Sequence, residues 1–195
     1  MSYHNRLFVE KIGRHVGIKK RVPVYLSQLV SSPVTIGFFK PVILLPISIV
    51  SNLSVRQVEA ILLHELAHIR RHDYLVNLLL TAVHVLLYFN PFVKCFLKKI
   101  ELERENCCDE LVLQFGYDKI GYATALLELE KGSHKISLAM GAASKNHLLQ
   151  RIETIVGVKR KQAFKRVQFA GVCAGLGMLI LLNMVSLKQQ KLSDA

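Results

Sequence analysis

Two histidines set four residues apart, with a glutamate directly after the first, constrain this chain more than any other stretch: Ile61-Leu62-Leu63-His64-Glu65-Leu66-Ala67-His68-Ile69. On a helix, residues four apart stand one above the other, so His64 and His68 can offer imidazole nitrogens to one metal ion. Zinc suits two imidazoles and a carboxylate, and a further position left for water separates a catalytic site from a structural one. Glu65 then lies beside the metal without binding it, placed to take a proton from that water. The plain alternative is a chance match on an amphipathic helix. Two features weigh against it. Ser54 and Gln57 have the spacing of a capping box, and Val55, Val58, Ile61, Leu62, Leu66 and Ile69 recur at helical spacing, which predicts a helix over about 54–71. Both histidines then sit among Ile, Leu and Ala, where unpaired imidazoles and a carboxylate are costly to bury.

A third ligand must come from elsewhere. His72 continues the series, but at about 1.5 Å per residue it lies roughly 12 Å along the axis from His64, so it reads as a helix-end residue. Downstream, Glu101-Leu102-Glu103-Arg104-Glu105-Asn106-Cys107-Cys108-Asp109-Glu110 is an acidic cluster on a helical apolar pattern. Glu105 shares a stripe with Leu97, Cys108 and Val112, where a lone carboxylate is uncomfortable. Asp109, one turn later, is placed to accept a hydrogen bond from a ligating histidine and fix its ring. Glu101 occupies the same stripe, and spacing does not exclude it.

His64-Glu65-x-x-His68 followed by Glu105-x-x-x-Asp109 resembles the gluzincin pattern of zinc metallopeptidases. With Pro33-Val34-x-x-Gly37, Pro41-Val42-Ile43-Leu44-Leu45-Pro46, Ile69-Arg70-Arg71-His72-Asp73, Asn90-Pro91 and Glu103-Arg104-Glu105-x-x-Cys108-Asp109, the chain resembles the membrane metallopeptidases of the BlaR/MecR antirepressor family over about residues 20 to 130. The resemblance implies His64, His68 and Glu105 as zinc ligands and Glu65 as general base. It also implies proteolysis within or at a bacterial-type cytoplasmic membrane, with the catalytic domain facing the cytosol and a transcriptional repressor or the protein itself as substrate. Members usually begin with several membrane-spanning helices and often end in a large external sensor domain, so the resemblance implies a shortened or fragmentary member.

A chain of 195 residues suffices for one domain with a real core. Its mean hydropathy of +0.32 is high for a soluble protein. The net charge of +12 has two readings. Nucleic-acid binding finds no helix-turn-helix, zinc finger or aromatic-interleaved basic run to support it, whereas attraction to an anionic membrane face fits. Cys95, Cys107, Cys108 and Cys173 lack secretory spacing and read as reduced thiols; Cys107 or Cys108 could bind metal, but both are expected as small buried residues.

Residues 1–20 contain no signal peptide, because Arg6, Glu10, Lys11, Arg14, Lys19 and Lys20 interrupt any apolar core; a short amphipathic helix through Leu7, Phe8 and Ile12 is expected. Val22 to Leu45, punctuated by proline and glycine, predicts short strands near 22–28, 33–38 and 42–45. In gluzincins an edge strand before the metal helix commonly holds the substrate by backbone pairing, a role the resemblance extends to this region. Leu75 to Phe89 is apolar enough to enter a bilayer. A full crossing would leave His68 and Glu105 about 30 Å apart on opposite faces, so the chain must turn back, and Asn90-Pro91 provides the break. Two antiparallel helices over about 74–89 and 91–115 are therefore predicted, forming a hairpin buried in the fold or dipping into the membrane, with His84 packed within it.

Helices follow over about 119–130 and 146–156, with loops at Gly132-Ser133 and Gly141-Ala142-Ala143-Ser144. An oxyanion-stabilising donor is expected here, with Tyr117, Tyr122, His134 and His147 as candidates between which the sequence does not choose. Val167 to Leu187 is free of charged residues and fits a transmembrane helix, and the basic residues before it place the bulk of the chain in the cytosol. Gly171 and Gly175 could pack against a second copy, giving a homodimer. The expected architecture is mainly helical α+β: a zinc metallopeptidase domain over 1–165 with a gluzincin-like core, a membrane-buried hairpin, a transmembrane helix over 166–187 and a tail over 188–195. The expected cofactor is Zn²⁺, the partners a protein substrate and membrane lipid, without direct nucleic-acid binding. Alternatives are a membrane quality-control or prenyl-peptide-type metalloprotease, distinguished by substrate, and a zinc-binding scaffold without activity, against which Glu65 argues.

Overall fold

The capping box forms as the sequence predicts. The Ser54 hydroxyl accepts a hydrogen bond from the Gln57 amide at 3.3 Å, and Gln57 Oε1 accepts one from the Ser54 amide at 3.0 Å. Those contacts satisfy amides that the first helical turn would otherwise leave bare. In this computed structural model, which describes residues 3–134 and 141–158, the helix so started follows one sheet and two shorter helices in chain order. The order is α1 (Tyr3–His15), β1 (Val24–Ser27), β2 (Val34–Ile36), β3 (Val42–Pro46), α2 (Ile47–Asn52), α3 (Val55–Arg70), α4 (Asp73–Leu86), α5 (Pro91–Gln114), α6 (Lys119–His134) and α7 (Gly141–Val156). The fold is mainly helical with one small sheet, hence α+β.

The sheet order is β1-β3-β2, with β1 parallel and β2 antiparallel to β3. Gly37, at φ 89°, makes the return from β2 towards β3, and a Cβ there would lie 2.7 Å from the Lys40 carbonyl oxygen. Val24, Ile43 and Leu45 point from the sheet into a cluster with Val58, Ile61, Leu62 and Leu66 of α3. On its other side α3 sends Ala60 and Leu63 into a second cluster with Val112, Tyr122, Leu126 and Ile155 of the later helices. The motif helix is thus the spine shared by two cores. Gln57 links them further, since its Nε2 donates to the Gly121 carbonyl at 3.1 Å and so ties the start of α6 to the start of α3.

The chain turns sharply after α3 through His72, at φ 55°, and Asp73 begins α4. At the far end Asn90 caps α5, accepting from the Phe92 amide at 2.9 Å with Pro91 in the first turn. Burial of the whole hairpin within the fold, one of the two expected outcomes, does not occur: the second half of α5 is buried through Arg104, Cys108, Asp109 and Val112, but the tip is bare. Leu78, Leu79, Val85, Leu86, Phe89, Phe92 and Phe96 are all exposed. His84 accordingly lies on an exposed stretch, with its ring 6.4 Å from that of Tyr88. No described helix is long and apolar enough to cross a membrane.

Two further expectations need correction. Gly132-Ser133 and Gly141–Ser144 belong to helices α6 and α7 rather than loops. A glycine weakens a helix by only about 1 kcal/mol relative to alanine, which packing of the rest of the element readily offsets. Cys108 is buried as expected, but Cys107 is exposed, because a neighbour one position along turns by about 100° on a helix. The chain divides into units Met1–Lys159 and Arg160–Ala195; the latter, with Cys173 and the predicted Val167–Leu187 span, lies outside the described residues.

Candidate metal centre

Three side chains from two helices converge on one point. From α3, the Nε2 atoms of His64 and His68 face each other at 3.1 Å. From α5, the Glu105 carboxylate stands 3.4 Å from His64 Nε2 and 3.6 Å from His68 Nε2. All three ligand atoms lie within 4.8 Å of one another. Glu101, which spacing left open, is exposed and outside the group.

The surroundings orient each ring. Asp73 Oδ2 is 2.6 Å from His68 Nδ1, which donates to it. His64 Nδ1 faces Asp109 Oδ1 at 3.1 Å and the Tyr122 hydroxyl at 2.9 Å, while that hydroxyl donates to Asp109 at 2.7 Å. With both Nδ1 atoms set against carboxylates, both Nε2 atoms turn toward the same space, where a shared proton or a metal cation would relieve the repulsion of two facing lone pairs. Donor spacings of 3.1 to 3.6 Å match neighbouring ligands around a tetrahedral ion with bonds of about 2.0–2.1 Å, which sit roughly 3.3 Å apart. The donor set therefore fits a zinc ion.

The electrostatics agree. Burial pulls the His64 imidazole down, but its hydrogen bonds to Asp109 and Glu105 outweigh this and push it up to about 9. Burial likewise opposes ionisation of Glu105, yet contact with His64 and the charge of Arg151 hold it at about 2. Asp109 is also held well below the ordinary carboxylate range, by His64 and Arg151 against its burial. The site is thus built to keep carboxylates ionised around positive charge.

Arg151 and Asp73 are the participants that sequence reasoning missed. The Arg151 guanidinium donates to Asp109 through Nε at 2.8 Å and Nη2 at 2.7 Å, and its Nη1 lies 3.0 Å from Glu105. A charged residue on the apolar stripe with Leu148 and Ile155 was the available signal. Asp73 is buried and paired further with Arg104 at 3.8 Å, and Arg104 also hydrogen-bonds Asn77. Its spacing from His68 marks no shared helical face; only the left-handed turn at His72 brings it back.

Glu65 follows His64 and is half-buried beside the same centre, where its Oε2 accepts a hydrogen bond from Thr35 of β2 at 2.8 Å. The free edge of β2 carries no strand among the described residues. A cleft of about 720 Å³ joins Thr35, His64, Glu65, His68, Glu105 and Arg151. Of the candidate oxyanion donors, Tyr122 is engaged with Asp109, and Tyr117 donates to Glu59 at 3.3 Å. His147 is half-buried with Nε2 unpartnered among the described residues, and the His134 side chain lies outside them.

A family model described as BlaR1 peptidase M56 matches residues 2–155. The chain is 33% identical over 143 residues to the regulatory protein BlaR1 of Bacillus licheniformis, a match covering 70% of this chain and 24% of that protein. It is 29% identical over 112 residues to the methicillin resistance mecR1 protein of Staphylococcus aureus strain Mu50, covering 56% of this chain and 19% of the relative. The Staphylococcus aureus regulatory protein BlaR1 matches at 28% over 95 residues, 49% of this chain and 16% of its own length. The matched stretch therefore spans about a quarter or less of each of these curated relatives.

Proposed function

The chain belongs to the BlaR1 peptidase M56 family, and from that premise we propose that it is a zinc-dependent endopeptidase with a gluzincin-like core. It acts on protein at the cytosolic face of a bacterial cytoplasmic membrane, in signal-dependent regulation by cleavage of a repressor or of itself. The observation that carries the reading is the convergence of His64, His68 and Glu105 within 4.8 Å, with Glu65 beside them in the same cleft. In this reading His64, His68 and Glu105 hold the ion, and Asp73 and Asp109 fix the two imidazole rings. The proposed organisation is a peptidase domain over 1–165, a membrane helix over 166–187 and a tail over 188–195.

A bound zinc ion would supply Lewis-acid polarisation of a water molecule and of the scissile carbonyl. Glu65 takes the proton from the attacking water at its carboxylate and delivers it to the leaving amine nitrogen. Thr35 holds that carboxylate through Oε2, leaving the other oxygen for the proton. The same contact ties β2 to the general base, so a substrate paired along the free edge of β2 would be set in register with Glu65. Arg151 keeps Glu105 and Asp109 ionised and in place.

The exposed apolar residues of the α4–α5 hairpin support membrane contact, since so extensive an apolar surface is costly in water. The test is cleavage of itself or of a general protein substrate by the full chain in detergent. Glu65→Gln should retain zinc and lose roughly 10²–10⁴-fold in rate. Zinc binding by the wild type without cleavage of any substrate would instead favour the scaffold reading.

A further inference from the structure

The connection from α1 to β1 lines two cavities at once. Lys19 and Lys20 form part of the wall of the cleft that contains His64 and Glu65, and the same two residues line a second cavity of about 580 Å³. Arg14, Arg21 and Lys40 complete the basic lining of that second cavity, where Glu10 is the acidic residue. Glu10 is already paired with Arg14 at 2.6 Å. Lys19, Lys20, Arg21 and Lys40 are exposed and make no ion pair among the described residues. Four cations left without anions around one concavity create a positive field that a solvated surface of mixed charge would not.

We propose that this second cavity is a docking site for an acidic segment of the polypeptide substrate, continuous through Lys19 and Lys20 with the cleft where the peptide bond is cut. The proposal rests on the peptidase reading for the identity of its ligand as a substrate. Complementary charge is the recognition chemistry: carboxylates along an extended chain would meet Lys19, Lys20, Arg21 and Lys40 in turn, steering encounter and raising affinity. An anionic lipid headgroup would also suit such charges. The longest run of exposed apolar side chains, Tyr74 to Phe96, belongs to α4, α5 and the turn between them, however, and none of it lines this cavity, where Tyr25 is the exposed apolar residue. The wall shared with the catalytic cleft favours polypeptide.

The decisive experiment measures fluorescence anisotropy of a labelled oligoglutamate peptide and its oligoglutamine counterpart, using the full chain in detergent with Glu65→Gln to prevent turnover. Oligoglutamate should bind about tenfold tighter at low salt, with the difference shrinking as salt rises. Adding Arg21→Glu with Lys40→Glu, or Lys19→Glu with Lys20→Glu, should abolish the discrimination. Adding Lys98→Glu with Lys99→Glu on α5 changes net charge equally and should preserve it. Equal loss in all three variants would overturn the proposal in favour of a general field effect, and equal binding of the two peptides would overturn it outright. Loss of binding to phosphatidylglycerol vesicles in the Arg21/Lys40 variant, with peptide discrimination intact, would assign the cavity to lipid instead. A wild type that discriminates between peptides but cleaves nothing would contradict the peptidase reading while leaving the acidic docking site standing.

Discussion

Helices α3 and α4 follow one another directly, yet their environments are opposite. Over 16 residues α3 buries Val58, Ala60, Ile61, Leu62, Leu63, His64, Leu66 and Ala67, whereas α4, with 14 residues and a more apolar sequence, buries only Asp73. Hydrophobicity alone therefore does not decide what this fold buries. Helix α3 finds protein on two sides, and the more apolar α4 projects with Leu78, Leu79, Val85 and Leu86 exposed. The difference separates a region specified by packing and paired charge from one whose sequence suits a lipid solvent. The sole buried residue of α4 is the one that reaches back to His68.

The comparison can be broken first at its charged centre. In metal-free protein Arg151→Met should cost about 3–5 kcal/mol in denaturant unfolding, because it strands the Asp109 and Glu105 carboxylates in a buried setting. A loss below about 1 kcal/mol would mean that the network is not a structural element of the fold.

The apolar residues sharpen the contrast. Leu62→Ala, at a site with no exposure, should cost about 2–5 kcal/mol. Leu86→Ser, at 81% exposure, should change stability in detergent by no more than about 0.5 kcal/mol while weakening association with lipid vesicles. Equal destabilisation by both would erase the distinction between the two helices.

A smaller effect comes from pH. The His64 imidazole ordinarily titrates at 6.5 but is raised to about 9 in the fold, so in metal-free protein its contribution is fully present below 6.5 and is lost as pH rises through 9. The change amounts to at most roughly 3 kcal/mol. Zinc requires the same nitrogen deprotonated, so zinc affinity should rise over that interval as metal-free stability falls. Thermal melts with chelator and zinc titrations across the interval would check the opposing signs.

What the sequence made legible was local. The α3 start followed from Ser54 and Gln57, the α5 start from Asn90-Pro91, and the strands from their proline and glycine boundaries, because each depends on neighbours within a few residues. Glu105 was legible as a carboxylate on an apolar stripe. The support around the centre was less so. Asp73 reaches His68 only through the positive φ of His72, and Arg151 reaches Asp109 across a separation of 42 positions, which no periodicity encodes. Gly132-Ser133 and Gly141–Ser144 show the converse, since packing of the rest of α6 and α7 overrides their glycine and serine punctuation.

Zinc stoichiometry tests the central claim most directly. Equilibrium dialysis of the full chain against buffered zinc, with Glu105→Ala and Glu101→Ala alongside, should find about one ion per chain in wild type and Glu101→Ala. Affinity in Glu105→Ala should fall by more than the roughly 10–100-fold typical of losing a residue that only orients a ligand. A wild-type chain that binds no zinc, or one whose affinity depends on Glu101 rather than Glu105, would contradict the account.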